Sequence, residues 1–195
     1  MAITYPLAIP NTIGIESIEL RAVNSVATSQ SPYTYKQQII SHGGQKWEAS
    51  VNVPSVRRDL AGQWKAMLVA LKGQEGTFLM GDPDYATPQG TVSSCVITGD
   101  AGDDSVTVVM TGTLKAGDYI QLGFGNNARL HQVLQDQSGD GTLEIWPSLR
   151  VNHSSKTAVF NNARGLFRLA NNVTSWSINN TSSYGISFEA VEVIT

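Results

Sequence analysis

Hydrophobic and polar positions alternate with period two along much of this chain, the signature of strands with one buried face. The clearest run is Trp47-Glu48-Ala49-Ser50-Val51-Asn52-Val53, which predicts burial of Trp47, Ala49, Val51 and Val53. Tyr184 to Val191 alternates in the same way near the other end. Between Ile15 and Val26, the residues Ile18, Leu20, Ala22 and Val23 sit among polar neighbours and read as a further strand. Thr34 to His42 carries Tyr35, Ile39 and Ile40 behind a turn at Ser29-Gln30-Ser31-Pro32, and Gly43-Gly44 predicts a hairpin turn. Residues 3–14, with Pro6, Pro10 and Gly14, read as an extended arm.

One segment follows a different period. Leu60, Trp64, Met67, Leu68 and Leu71 make one apolar stripe at helical spacing. The pattern predicts a helix over about 56–72, with Ser55 as its N-cap and Gly73 just beyond its end, where left-handed backbone is needed. With no second long helix in the pattern, the stripe is expected to cover one face of the chain's own sheet.

Gly76 to Met80 is a strand, and breakers crowd 81–90. Short strands then recur at 92–98, 106–111, 119–124, 130–135 and 143–147, separated by polar turns, as in a small β-barrel. Ala158-Val159-Phe160, Gly165 to Leu169 and Ser175 to Ile178 continue the β pattern. Either the chain is one continuous β structure, or a barrel is inserted and the last strands return to the first sheet. The lone helix and the boundary near 81–90 favour insertion. The expected division is 1–86 with 161–195 as one β-sandwich-like domain, and 87–160 as the inserted barrel.

Composition narrows the functional classes. The chain has 195 residues, 41% hydrophobic but only 15% charged, with 18 glycines and a net charge of -3. A disordered chain and a coiled coil are excluded on these figures. A general nucleic-acid binder is not expected either, because 13 basic residues against 16 acidic ones supply little basic surface. The N-terminus lacks the basic and apolar regions of a secretory signal, and no apolar run is long enough for a transmembrane helix. Folding in a cytoplasm is the expectation. In that setting the sequons at Asn172 and Asn180 read as chance matches.

Candidate chemistry is sparse. Cys95 lies in a strand-like run without a histidine partner in the sequence pattern and reads as a small buried residue. Asp136-Gln137-Ser138-Gly139-Asp140-Gly141 begins like a calcium loop, but Pro147 stands where the closing carboxylate belongs, so a hairpin turn is expected. Asp100, Asp103 and Asp104 read as a solvated turn. His42, His131 and His153 fall in unrelated contexts without metal-ligand spacing. Gly123-Phe124-Gly125 is too short for a phosphate loop. Trp47, Trp64, Trp146 and Trp176 could stack sugars but read first as packing residues. No catalytic, cofactor-binding or metal residue is nominated, and an enzyme is not expected.

The order of certain segments adds a resemblance. Lys36 to Glu48 with Gly43-Gly44, Arg57 to Leu71 with Trp64, and Leu71 to Pro83 follow one another in the first part of the chain. Leu114 to Leu122, Trp146-Pro147-Ser148-Leu149-Arg150 and Gly165-Leu166-Phe167-Arg168-Leu169 come later. Together, over nearly the whole chain, they resemble the distal tail proteins of long-tailed bacteriophages. The shared segments are structural, not catalytic.

The resemblance implies a tail-tube-related β-sandwich-like domain with one helix, plus an inserted oligonucleotide-binding-type (OB-like) barrel. It implies a virion protein of the tail tip, assembled in the host cytoplasm into a ring, expected to be a hexamer. Its expected partners are copies of itself, the tail tube protein and the hub or tip protein, with DNA only passing through the channel and no membrane partner. A carbohydrate- or host-surface-binding β module and a tube or tube-terminating subunit are the alternatives. The low charge along the chain further predicts β edges free to pair with neighbours.

Overall fold

The computed structural model describes residues 3–10, 14–180 and 182–194. The expected arm and the Asn180 sequon therefore fall partly outside the described residues. Among the described residues the fold is mainly β with one α-helix. In chain order the first elements are β1 (Leu7–Ala8), β2 (Ser17–Gln30), β3 (Gln37–Arg57), α1 (Arg58–Ala70) and β4 (Phe78–Met80). Then come β5 (Ser94–Gly99), β6 (Ser105–Thr111), β7 (Thr113–Leu114), β8 (Tyr119–Leu122), β9 (Arg129–Val133), β10 (Gln137–Ser138), β11 (Gly141–Trp146) and β12 (His153–Thr157). The chain ends with β13 (Gly165–Leu169), β14 (Trp176–Ile178) and β15 (Ser183–Glu192).

The first sheet runs in the order β1-β4-β13-β15-β3-β2, with β14 added on β15. Register places Ala49 and Val51 beside Ala190 and Phe188, and Phe167 beside both Glu192 and Phe78, so these side chains share one face with Trp47, two residues before Ala49. The helix covers that face with Ala61, Trp64, Met67 and Leu68, and Leu71 follows just beyond it. Trp64, Phe78, Phe167 and Phe188 meet at its centre, with Phe78 and Phe188 edge to face at 6.0 Å. The four alternating residues Trp47, Ala49, Val51 and Val53 are buried as the period-two pattern predicts.

Three local expectations are corrected. Ser55 is not the N-cap. It lies inside β3, where its hydroxyl meets that of Ser183 at 2.7 Å, and the helix begins at Arg58 with Arg57 as an N-cap that makes no side-chain capping bond. The pairing of β3 with β15 carries the strand through Pro54, which falls at an irregularity in that ladder where a missing N–H costs least. Leu60 is 39% exposed, and Ala61 takes its place against the sheet. Gly43-Gly44 is not a turn. The β2–β3 turn is at 31–36, closed by Ser31 N–H to the Lys36 carbonyl at 3.0 Å.

The second sheet runs β12-β5-β6-β11-β9-β8 and curls into a half-barrel. Its inward face buries Cys95, Ile97, Val106, Val108, Ile120, Leu122, Leu143 and Ile145 around a separate apolar cluster. Beyond β12, Val159 exchanges both backbone hydrogen bonds with Gln121 of β8, at 2.7 and 2.9 Å. That contact draws the two ends of the curled sheet together. The short pair β7–β10 and the strand β12 are absent from the sequence pattern: β7 and β10 have two residues each, too few to show a period although Leu114 is buried, and β12 is polar and mostly exposed. Among the described residues no helix is long and apolar enough to cross a membrane.

Candidate assembly surface

The outer halves of β2 and β3 leave the body of the protein as a two-stranded ribbon. Every residue from Asn24 to Gly44 is exposed except Ser31, which is half-buried in the turn. Tyr33 is 92% exposed and Ile39 64%, and Val26, Tyr35 and Ile40 are also open to solvent. Val26 and Ile39 lie on one face of the ribbon, while Ala27 and Ile40 pair directly on the other. Between Ala22 and Gln45 the only basic side chains are Lys36 and His42, and there is no acid. A two-stranded hairpin with both faces wet is marginal on its own. Apolar residues on both faces, with little charge to keep another chain away, suit it to contact with a partner.

The outer edge of β2 pairs with no other strand of the described residues. Of its 14 residues only Glu19 and Arg21 are charged. The face of the first sheet opposite the helix is polar. Register puts Glu19, Arg21, Glu48, Ser50 and Glu189 there. Lys46 and Glu48 bridge at 2.9 Å, and the Lys46 hydrogen bond holds the Glu48 carboxyl below its usual range, with Arg21 adding to the effect.

Where the half-barrel meets the first sheet, Trp47 is the centre. Its indole N–H donates to the Leu130 carbonyl at 3.0 Å, and its ring meets Trp146 edge-on at 4.5 Å. Its backbone N–H donates to the Glu192 carboxylate at 3.0 Å, and Arg150 lies 3.4 Å from the same carboxylate. Burial pushes the Glu192 carboxyl up, while Trp47 N–H, Arg150 and Arg129 pull it down. His131 is buried beside them. Its Nδ1–H donates to the Pro147 carbonyl at 2.6 Å, which fixes the tautomer, and burial lowers its pKa to about 4. Its Nε2 is buried with no hydrogen-bond partner among the described residues.

The other residues singled out by sequence do not converge. Asp136 pairs with Lys115 at 2.6 Å and accepts Ala116 N–H, whereas Asp140 accepts Met110 N–H at 2.9 Å. The calcium-like run is thus a turn whose two carboxylates are spent on the protein. Asp103 accepts Asp100 N–H at 2.8 Å, closing its own turn. Cys95 is buried in the half-barrel, and burial raises its thiol pKa to about 11. His42 is exposed on the ribbon, and His153 lies on β12. Trp64 is core, and Trp176 sits at an edge with the Lys65 ammonium 5.7 Å from its ring. Phe124 is exposed between Gly123 and Gly125. Asn172 accepts Gln74 N–H at 3.0 Å.

Sequence reasoning missed Asn24, Gln45, Arg150 and Glu192 as a group. Their partners lie up to 145 residues apart in the chain, a separation that leaves no local signal. Neither the family models nor the curated proteins contain a match to this chain.

Proposed function

We propose that this chain is a structural subunit of a bacteriophage tail tip that closes into a ring, joins the tail tube to the hub, and leaves a channel for DNA. The observation that carries the reading is the projecting ribbon at 24–44, apolar on both faces and nearly uncharged. A solitary protein would gain from charges or cover on such an element, whereas a ring subunit can lay it against the next copy. The free β2 edge supports the same reading, since it offers unpaired backbone groups alongside the ribbon.

In this proposal the sheet built from β1–β4 and β13–β15, with α1, is the β-sandwich-like ring-forming domain, residues 1–86 and 161–195. Residues 87–160 are an inserted OB-like barrel. Two separate apolar clusters and the chain's departure after β4 and return at β13 support that division. The Gln121–Val159 bridge supports a barrel nearer to closure than the strand ladder alone implies. The partners in this reading are copies of the chain, the tube protein and the hub protein, and DNA is only a passenger. Mixed charges on the polar face, Arg21 and Lys46 among Glu19, Glu48 and Glu189, suit a surface that DNA passes without being held.

Light scattering and negative-stain microscopy of the purified protein, alone and mixed with a tube protein, test the proposal. Closed rings are expected. Filaments would move the assignment to a tube subunit, and a monomer at high concentration that also ignores the tube protein would overturn it.

A further inference from the structure

We propose that segment 146–150 of the half-barrel is a latch on the root of the ribbon and that Gly43–Gly44 is the hinge beyond it, so that the half-barrel sets the direction in which the ribbon points. This goes beyond ring formation and holds whatever the ribbon meets.

The hinge follows from register. Asn24 pairs with Gln45, and the next aligned pair is Val26 with Ser41. Ser25 alone therefore faces His42, Gly43 and Gly44. The surplus on β3 is two residues, an even number, so side-chain alternation is preserved across it. Asn24, Val26 and Thr28 stay on the face that carries Ala22 and Trp47. The irregularity thus changes the ribbon's direction without exchanging its faces, as bulges do. Gly43 has φ +70°, a conformation that glycine adopts freely.

The latch is one short stretch of chain acting on the last regular pair before the hinge. Trp146 donates its indole N–H to Asn24 Oδ1 at 2.9 Å. Ser148 N–H donates to Gln45 Oε1 at 2.7 Å. The Arg150 guanidinium donates to the Gln45 carbonyl and also contacts Glu192 at 3.4 Å. Between these residues, the Pro147 carbonyl is held by buried His131. The root is therefore tied through both strands to the rigid interior of the half-barrel. Just past it the ribbon is exposed on every side. A strand pair clamped at one point and irregular at the next bends at the irregularity, and the clamp decides the angle from which it bends.

Pulsed dipolar spectroscopy between spin labels at Thr34→Cys and Ala66→Cys measures the tip-to-helix distance, with Cys95 left in place because it is buried. In Asn24→Ala/Gln45→Ala protein, the distribution is expected to broaden and its mean to move, with circular dichroism unchanged. Deleting Gly43 and Gly44 makes the ladder continuous, with His42 opposite Ser25, and is expected to shift the mean to that of a straight extension of β2 and β3. Trp146→Phe keeps an aromatic ring at this position while removing the indole N–H along with the rest of the pyrrole ring, and serves where the double variant is unfolded. An unchanged distribution in a folded latch variant overturns the latch, and a deletion protein with the parental distribution overturns the hinge.

Discussion

The Glu192 carboxylate accepts the Trp47 backbone N–H at 3.0 Å, and Trp47 in turn donates its indole N–H to Leu130 in the other sheet. The last strand thereby holds the residue on which the half-barrel rests. Arg150, from that half-barrel, meets the same carboxylate. Glu192→Ala would leave the Arg150 guanidinium, itself mostly buried, without its carboxylate, and a loss of about 3–5 kcal/mol is expected for a broken buried pair. Glu192→Gln keeps an acceptor for Trp47 N–H and is expected to lose less. Urea unfolding midpoints of the two variants at pH 7 check the order.

His131 makes stability depend on pH. Its folded pKa is about 4 against an ordinary 6.5, so the unfolded chain takes up a proton that the folded one refuses. Stability therefore falls as pH drops from about 6.5 to about 4, by roughly 3 kcal/mol from this group alone. Glu192 acts in the opposite sense. Its carboxyl is raised by burial, so its contribution is greatest below the unfolded glutamate pKa and is lost as pH rises through the folded value. His131→Gln should remove the His131 part of the acid-side loss between pH 6.5 and 4, leaving the part from His153, whose pKa burial also lowers, set against the opposing Glu192 slope. Denaturant titrations across that range in both proteins measure it. A parental pH profile in the variant would contradict the assignment.

Asp118 is fully buried and its carboxylate accepts three backbone N–H groups, those of Gln89 at 2.7 Å, Gly90 at 3.3 Å and Lys115 at 2.8 Å. It ties the loop after β4 to the turn before β8. Asp118→Ala leaves those donors unsatisfied, at an expected cost of about 2–4 kcal/mol. Hydrogen exchange should speed up at Gln89, Gly90 and Lys115 while the α1 amides keep their protection.

Ile39→Ser/Ile40→Ser tests whether the ribbon is for assembly. Both residues are exposed, so monomer stability should stay within about 0.5 kcal/mol of the parent. Ring formation, read by light scattering, should be lost. A variant that still forms rings at parental concentration would separate assembly from the ribbon.

Much of this was legible in the chain itself. The strand face at 47–53, the strand at 165–169, the short strands of the second sheet and the existence of the helix all follow from local pattern and turn chemistry. The helix start was legible only to within two or three residues, because Ser55 offers a capping side chain that the β15 pairing claims for β3 instead. Gly43-Gly44 carries the same local signal whether it turns a hairpin or bends a strand. Only the pairing of Ser41 with Val26 on its far side decides which.

The low charge and glycine content determined a β-rich protein with exposed, weakly guarded strands, because period-two burial and turn preference act between near neighbours. Tertiary structure decided where those strands stand free. It sends 24–44 into solvent as a ribbon and anchors its root to Trp146, Ser148 and Arg150. It also places Glu192 beneath Trp47. These relationships join residues more than a hundred positions apart, and hydrogen bonds at such separations depend on the whole sheet order rather than on any local pattern.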